Sequence, residues 1–110
     1  MKKTYNKLVR DRIPKIIAES GCKPHYRQLS PQEFEQAIMA KMAEEAIELQ
    51  HAETREEVLE ELADIMEVAL HVCNEFNITK ADIDERRNLK CLEKGSFYYH
   101  YFLESVEDKE

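Results

Sequence analysis

The feature that most constrains this chain is a pair of acidic motifs, each embedded in a helical apolar pattern, with a short break between them. From Lys41 to Val68 the sequence carries Glu44, Glu45 and Glu48, a break at His51 to Thr54, then Glu60, Glu61 and Asp64. Glu45 with Glu48, and Glu61 with Asp64, have the i,i+3 spacing of neighbours on a helix surface. On a helical wheel of about 100° per residue, Phe34, Ile38, Leu49 and Ala52 fall within about 40° of Glu45. Ile65, Val68 and Val72 fall within about 40° of Glu61 in the same way. One carboxylate of each pair is thus set in the apolar stripe, and Glu48 and Asp64 lie at its margins. A carboxylate buried without a partner is costly and tends to protonate, so a fold that buries these stripes must also neutralise the acids.

The punctuation around the motifs predicts helices. Ser30-Pro31-Gln32-Glu33 is a capping box with proline at the first helical position, and it opens a helix to about His51. Thr54-Arg55-Glu56-Glu57 repeats the signal and opens a second helix to about Glu75. The short link between them favours an antiparallel hairpin, which brings Glu45 and Glu48 opposite Glu61 and Asp64. Upstream, Pro14 suits the first turn of a short helix that Asp11 is placed to cap and Gly21 to end. Downstream, Thr79 with Asp82 starts a helix over Lys80 to Lys94 that stops at Gly95. Phe97, Tyr99, Tyr101 and Leu103 then share one parity, which predicts a short strand or extended flap. With only 2 glycines and 3 prolines, little else interrupts helix. The expectation is an all-α chain: a helical bundle of four or so helices with a short extended C-terminal segment, one domain over residues 1–110.

Charge narrows the function classes. The net charge of −7 argues against non-specific binding to nucleic acid or to an anionic membrane surface. The charge is segregated: Lys2, Lys3, Lys7, Arg10, Arg12 and Lys15 crowd the start, Arg86, Arg87 and Lys90 lie near the end, and the middle is acidic. No run is long enough to span a membrane, and the basic N-terminus lacks the apolar core of a signal peptide, so the expected compartment is the cytoplasm. Cys22, Cys73 and Cys91 are odd in number and widely spaced, against a disulfide scaffold or zinc site.

Four converging carboxylates on rigid helices are oxygen donors that suit Mg²⁺, or Mn²⁺. The alternative from spacing alone is that these acids pair with Lys41, Arg55 or the basic ends of the chain, or lie on a solvated face. A di-iron bundle ranks below both, because Glu48-Leu-Gln-His51 gives one Glu-x-x-His where that architecture uses two.

Together the motifs resemble a known superfamily. Glu44-Glu45-Ala-Ile-Glu48, followed by Glu61-Leu-Ala-Asp64, is similar to the E-E-x-x-E and E-x-x-D signature of the all-α nucleotide pyrophosphohydrolases, which include MazG, the dimeric dUTPases and phosphoribosyl-ATP pyrophosphohydrolase. The opening Tyr5-Asn-Lys-Leu-Val-Arg-Asp-Arg-Ile-Pro14 resembles the start of a small MazG-like subfamily described as phosphoribosyl-ATP pyrophosphohydrolase-like. Lys94-Gly95-Ser96-Phe97 resembles that subfamily's basic-Gly-Gly-Phe ending, with Ser96 in place of one glycine.

The resemblance implies a MazG-like bundle whose subunits pair as a homodimer or higher homo-oligomer. It implies Mg²⁺-dependent hydrolysis of a nucleoside triphosphate to monophosphate and pyrophosphate, as in the removal of non-standard nucleotides. Carried over by position, Glu45, Glu48, Glu61 and Asp64 are the expected metal ligands. Glu44, with Glu45, is the expected catalytic carboxylate that orients the attacking water. Lys90 and Lys94 resemble phosphate-gripping residues, and Lys7 and Arg10 of the opening motif are further candidates. Phosphoribosyl-ATP hydrolysis is the alternative reaction, and a non-catalytic helical interaction module the alternative class. The nucleotide is the expected partner, with neither nucleic acid nor membrane.

Overall fold

The computed structural model describes residues 1–108. Helices α1 (Ile13–Glu19), α2 (Pro31–Gln50), α3 (Arg55–Glu75) and α4 (Lys80–Lys94) are joined by irregular segments, with no strand among the described residues. This is the expected all-α architecture, with helix ends within about a residue of where the capping signals put them. The chain divides into two compact units, Met1–Asn77 and a second that begins at Ile78.

In the first unit, α2 and α3 pack against each other across the four-residue link His51–Thr54, which makes them an antiparallel hairpin. Ser30 Oγ accepts from the Glu33 N–H at 3.2 Å, and the Glu33 carboxylate accepts from the Ser30 N–H at 3.0 Å, completing the box at the head of α2. At the head of α3 only half of the box forms. Thr54 Oγ1 accepts from the Glu57 N–H at 3.1 Å, but the Glu57 carboxylate takes the Thr54 hydroxyl at 3.2 Å rather than its N–H. The core of the hairpin is thin: the buried apolar side chains are Ile38 on α2 and Val68 on α3. Both lie on the wheel faces that hold Glu45 and Glu61.

The short α1 is capped differently from expectation. Its N-cap is Arg12, which makes no side-chain cap bond, so Asp11 does not cap it. Pro14 sits in its first turn and fixes the backbone there, which leaves less for a cap to do.

In the second unit, Thr79 and Asp82 form a full capping box at the head of α4. Gly95 ends that helix at φ 78°, ψ −170°, a region essentially restricted to glycine. The aromatic segment beyond it forms no strand. His100 adopts φ 57° and its N–H returns to the Phe97 carbonyl at 3.3 Å, a turn that interrupts the extended run. Alternating parity still places Tyr99 and Tyr101 on one side, with rings stacked at 5.6 Å. An extended segment becomes a strand only by pairing with another, and the described residues supply none. All three cysteines are free.

Candidate metal centre

The hairpin brings four of the motif acids to one place. Glu45 and Glu48 from α2, and Glu61 and Asp64 from α3, each offer a carboxylate oxygen, and these oxygens lie within 4.8 Å of one another. The i,i+3 spacing turns each pair to the same side of its helix, and the short link sets the two pairs opposite each other. Glu45 is 5% exposed, as its place in the apolar stripe requires. Glu61 and Asp64 are half-buried and Glu48 is exposed, so the cluster runs from the hairpin interior to its edge.

The electrostatics of the cluster are unfavourable as it stands. Burial, then the charge of Glu48, pushes the Glu45 carboxyl above the usual carboxylate range. Burial, then the facing Glu48 and Glu45, pushes Glu61 up to about 7. Glu45 Oε2 and Glu61 Oε2 are buried with no hydrogen-bond partner among the described residues. Orphaned, mutually repelling carboxylate oxygens at this spacing are the donor set that a hard divalent cation satisfies, so the residues present fit Mg²⁺ or Mn²⁺. Among the described residues no histidine joins the group. His51, the residue a di-iron site would use, bonds through Nδ1 to the Ile47 carbonyl at 2.8 Å.

The other candidate residues are placed as follows. Glu44 stands beside the cluster rather than in it, held by Lys7 Nζ at 3.5 Å on Oε1 and by Lys41 Nζ at 3.2 Å on Oε2. Arg10 Nη2 donates to Asp64 Oδ1 at 2.8 Å, which brings the opening arm directly onto one of the four acids. Lys90 and Lys94 stand a turn apart on α4 in the second unit, both exposed.

One residue has a role that spacing alone understated. Lys41 is 16% exposed at its side chain and lies 3.2 Å from Glu44 and 3.6 Å from Glu45 Oε1. It holds two consecutive acids at once, through the i,i+3 and i,i+4 relations that a lysine ahead of a Glu-Glu pair creates. That pattern is visible in the sequence and is the signal by which the residue can be found.

A family model described as phosphoribosyl-ATP pyrophosphohydrolase matches residues 5–87. The match takes in the opening arm, the whole α2–α3 hairpin and all four clustered acids, and it ends before Lys90 and Lys94. An uncharacterised protein of Mycolicibacterium smegmatis is 51% identical over 53 residues, covering 48% of this chain and 54% of that protein. The chain thus spans about half the length of that curated relative. No solved structure matches the chain.

Proposed function

Since the chain belongs to the phosphoribosyl-ATP pyrophosphohydrolase family, within the MazG-like all-α superfamily, we propose that it is a divalent-metal-dependent nucleotide pyrophosphohydrolase. The observation that carries this reading is the four-carboxylate group on the hairpin, with its buried and unpartnered Glu45 and Glu61 oxygens. The reaction is hydrolysis of a nucleoside triphosphate: water adds at the α-phosphorus, the bond from that phosphorus to the bridging oxygen breaks, and pyrophosphate departs. Phosphoribosyl-ATP is the second substrate reading, favoured by the description of the matched family, and the chemistry at phosphorus is the same.

Glu45, Glu48, Glu61 and Asp64 would hold the cation, Mg²⁺ or Mn²⁺. When bound, a divalent ion supplies charge neutralisation at the phosphate oxygens and a more acidic water. The residues of the chain do the rest. Glu44, restrained by Lys41 and Lys7, would orient a water and accept its proton. Lys7 and Arg10, which pair with Glu44 and Asp64, would meet the polyphosphate; Lys90 and Lys94 are phosphate-binding candidates by their resemblance to the superfamily's basic residues. Positioning and charge account for most of the catalysis in phosphoryl transfer, and both are what this set of side chains provides. We also assign the chain a homo-oligomeric state, because its apolar faces exceed what the hairpin covers.

The test is pyrophosphate release from canonical, deoxy and damaged nucleoside triphosphates and from phosphoribosyl-ATP, with Mg²⁺, with Mn²⁺ and with chelator. Metal-dependent release by the wild type and its loss in Glu61→Gln support the enzyme, and the best substrate decides between the two readings. No release from any of them by a folded protein that binds neither ion overturns it in favour of an interaction module.

A further inference from the structure

The opening of the chain carries six cations, yet two of them reach across to the hairpin, and they choose their partners closely. Lys7 lies 3.5 Å from Glu44 on α2, and Arg10 lies 2.8 Å from Asp64 on α3. One cation lands on each acidic motif. Arg10 is set in place by its backbone: its carbonyl accepts from the Ile13 N–H at 3.1 Å, tying the arm to the start of α1. On the other side, Asn6, Lys7 and Leu8 border a small cavity with Ala37, Ala40, Lys41 and Glu44 of α2, so the arm lies along that helix. The guanidinium itself is accessible, its side chain 59% exposed. It spends one donor on Asp64, and a guanidinium has five.

Two demands therefore meet at Asp64. Arg10 compensates its charge now, and the divalent ion proposed above would compensate the same charge. Once that carboxylate is otherwise satisfied, a forked, solvent-facing cation beside the site is surplus, and a polyphosphate is the partner that suits its geometry.

We propose that Arg10 is the resident counter-ion of Asp64, and that it exchanges this carboxylate for the phosphates of the substrate when the site is loaded with a divalent ion. The inference rests on the metal reading of the four acids. Its consequence is that one substitution acts with opposite signs on two ligands. Arg10→Gln removes the competitor for Asp64, so metal binding tightens. It also removes a phosphate donor, so nucleotide binding weakens.

The experiment titrates the intact protein with Mn²⁺ without nucleotide, following free Mn²⁺ by electron paramagnetic resonance, and measures KM and kcat at saturating Mn²⁺. Four proteins are compared: wild type, Arg10→Gln, Arg10→Lys and Arg12→Gln. Arg12 belongs to the same arm and makes no ion pair among the described residues. In Arg10→Gln the Mn²⁺ Kd falls roughly two- to fivefold, the range of a partly exposed ion pair. Its KM rises about tenfold or more, the range of a charge-assisted hydrogen bond. Arg10→Lys keeps the Mn²⁺ affinity near wild type and recovers part of KM, and Arg12→Gln matches wild type in both.

Weaker Mn²⁺ binding in Arg10→Gln overturns the exchange, since Arg10 then props Asp64 for the ion. Unchanged Mn²⁺ binding, or unchanged KM, overturns it as well. These outcomes leave the enzyme reading standing. A wild type that binds no Mn²⁺ removes the metal reading itself, and the exchange with it.

Discussion

At the scale of single residues, the site is defined by how its charges are balanced. Glu61 faces Glu45 and Glu48 in a half-buried position, with one oxygen unpartnered. In chelator, Glu61→Gln removes a like charge from a crowded group, so the variant melts no lower than the wild type and is expected to melt higher at neutral pH. Adding Mg²⁺ or Mn²⁺ reverses the order. At a hundred times its Kd, a ligand that binds only the folded state stabilises it by about 2.7 kcal/mol. The wild type gains this and the variant largely does not. Thermal melts of both proteins with and without metal check the crossing, and parallel shifts in the two mean that Glu61 is not a ligand. The burial of Glu45 was legible in the sequence, because a helical wheel needs no tertiary information. The Arg10–Asp64 pair was not, because its partners stand 54 residues apart and no periodicity links them. Between these extremes lies Lys41, whose spacing to Glu44 and Glu45 is local but whose hold on both at once appears only when the side chains are placed.

At the scale of elements, caps decided what could be read. Ser30, Thr54 and Thr79 each announced a helix, since a capping box satisfies N–H groups that the helix itself cannot. The Glu33 carboxylate also takes Arg27 through two hydrogen bonds, at 3.2 and 2.9 Å. Arg27 first, then the Ser30 N–H and hydroxyl, hold Glu33 at about 2, below the ordinary 4.5. A carboxyl with a depressed folded value stabilises the fold fully above its unfolded value and loses this as the pH falls through its folded one. Glu33→Gln therefore lowers Tm at neutral pH, and the gap closes between the ordinary 4.5 and about 2. Melts followed by circular dichroism across that range check it, and a gap that stays constant into strong acid means that the charge of Glu33 does not carry the stabilisation. The far end of α4 gives a second test. Gly95 holds φ 78°, ψ −170°, and an added Cβ there meets nothing within 4 Å. The cost of Gly95→Ala is thus backbone strain alone, about 1–3 kcal/mol. It should appear as a lower urea midpoint, and an unchanged midpoint means that the helix end does not depend on that conformation. The extended C-terminal segment could not be settled from the sequence, because alternation marks a strand only where a partner strand exists.

At the scale of the whole molecule, the unresolved balance is between apolar surface and core. Helical class followed from the scarcity of breakers and helix number from the capping signals, but burial depends on what packs against each face. On α3 the face opposite Glu61 carries Leu59, Leu62, Met66 and Leu70, exposed by 49%, 43%, 73% and 54%. These follow the 3–4–4 spacing of one helical stripe. Among the described residues Ile38 and Val68 are the apolar side chains that are buried, which is a thin core. A contiguous apolar stripe of this kind marks an interaction surface. The expected cover is a second copy of the chain, which would give the thin core the burial that one copy lacks. Sedimentation velocity at micromolar concentration should then show a homodimer or larger. Met66→Glu, at the most exposed point of the stripe, keeps the helical circular dichroism of the wild type and shifts the protein towards monomer. Burying an unpaired charge in such a contact costs about 3 kcal/mol or more, so association should weaken by roughly two orders of magnitude. A wild type that sediments as a monomer at tens of micromolar overturns this assignment. A Met66→Glu protein that still dimerises moves the contact to another face and leaves the metal centre untouched, since Met66 lies on the side of α3 away from Glu61.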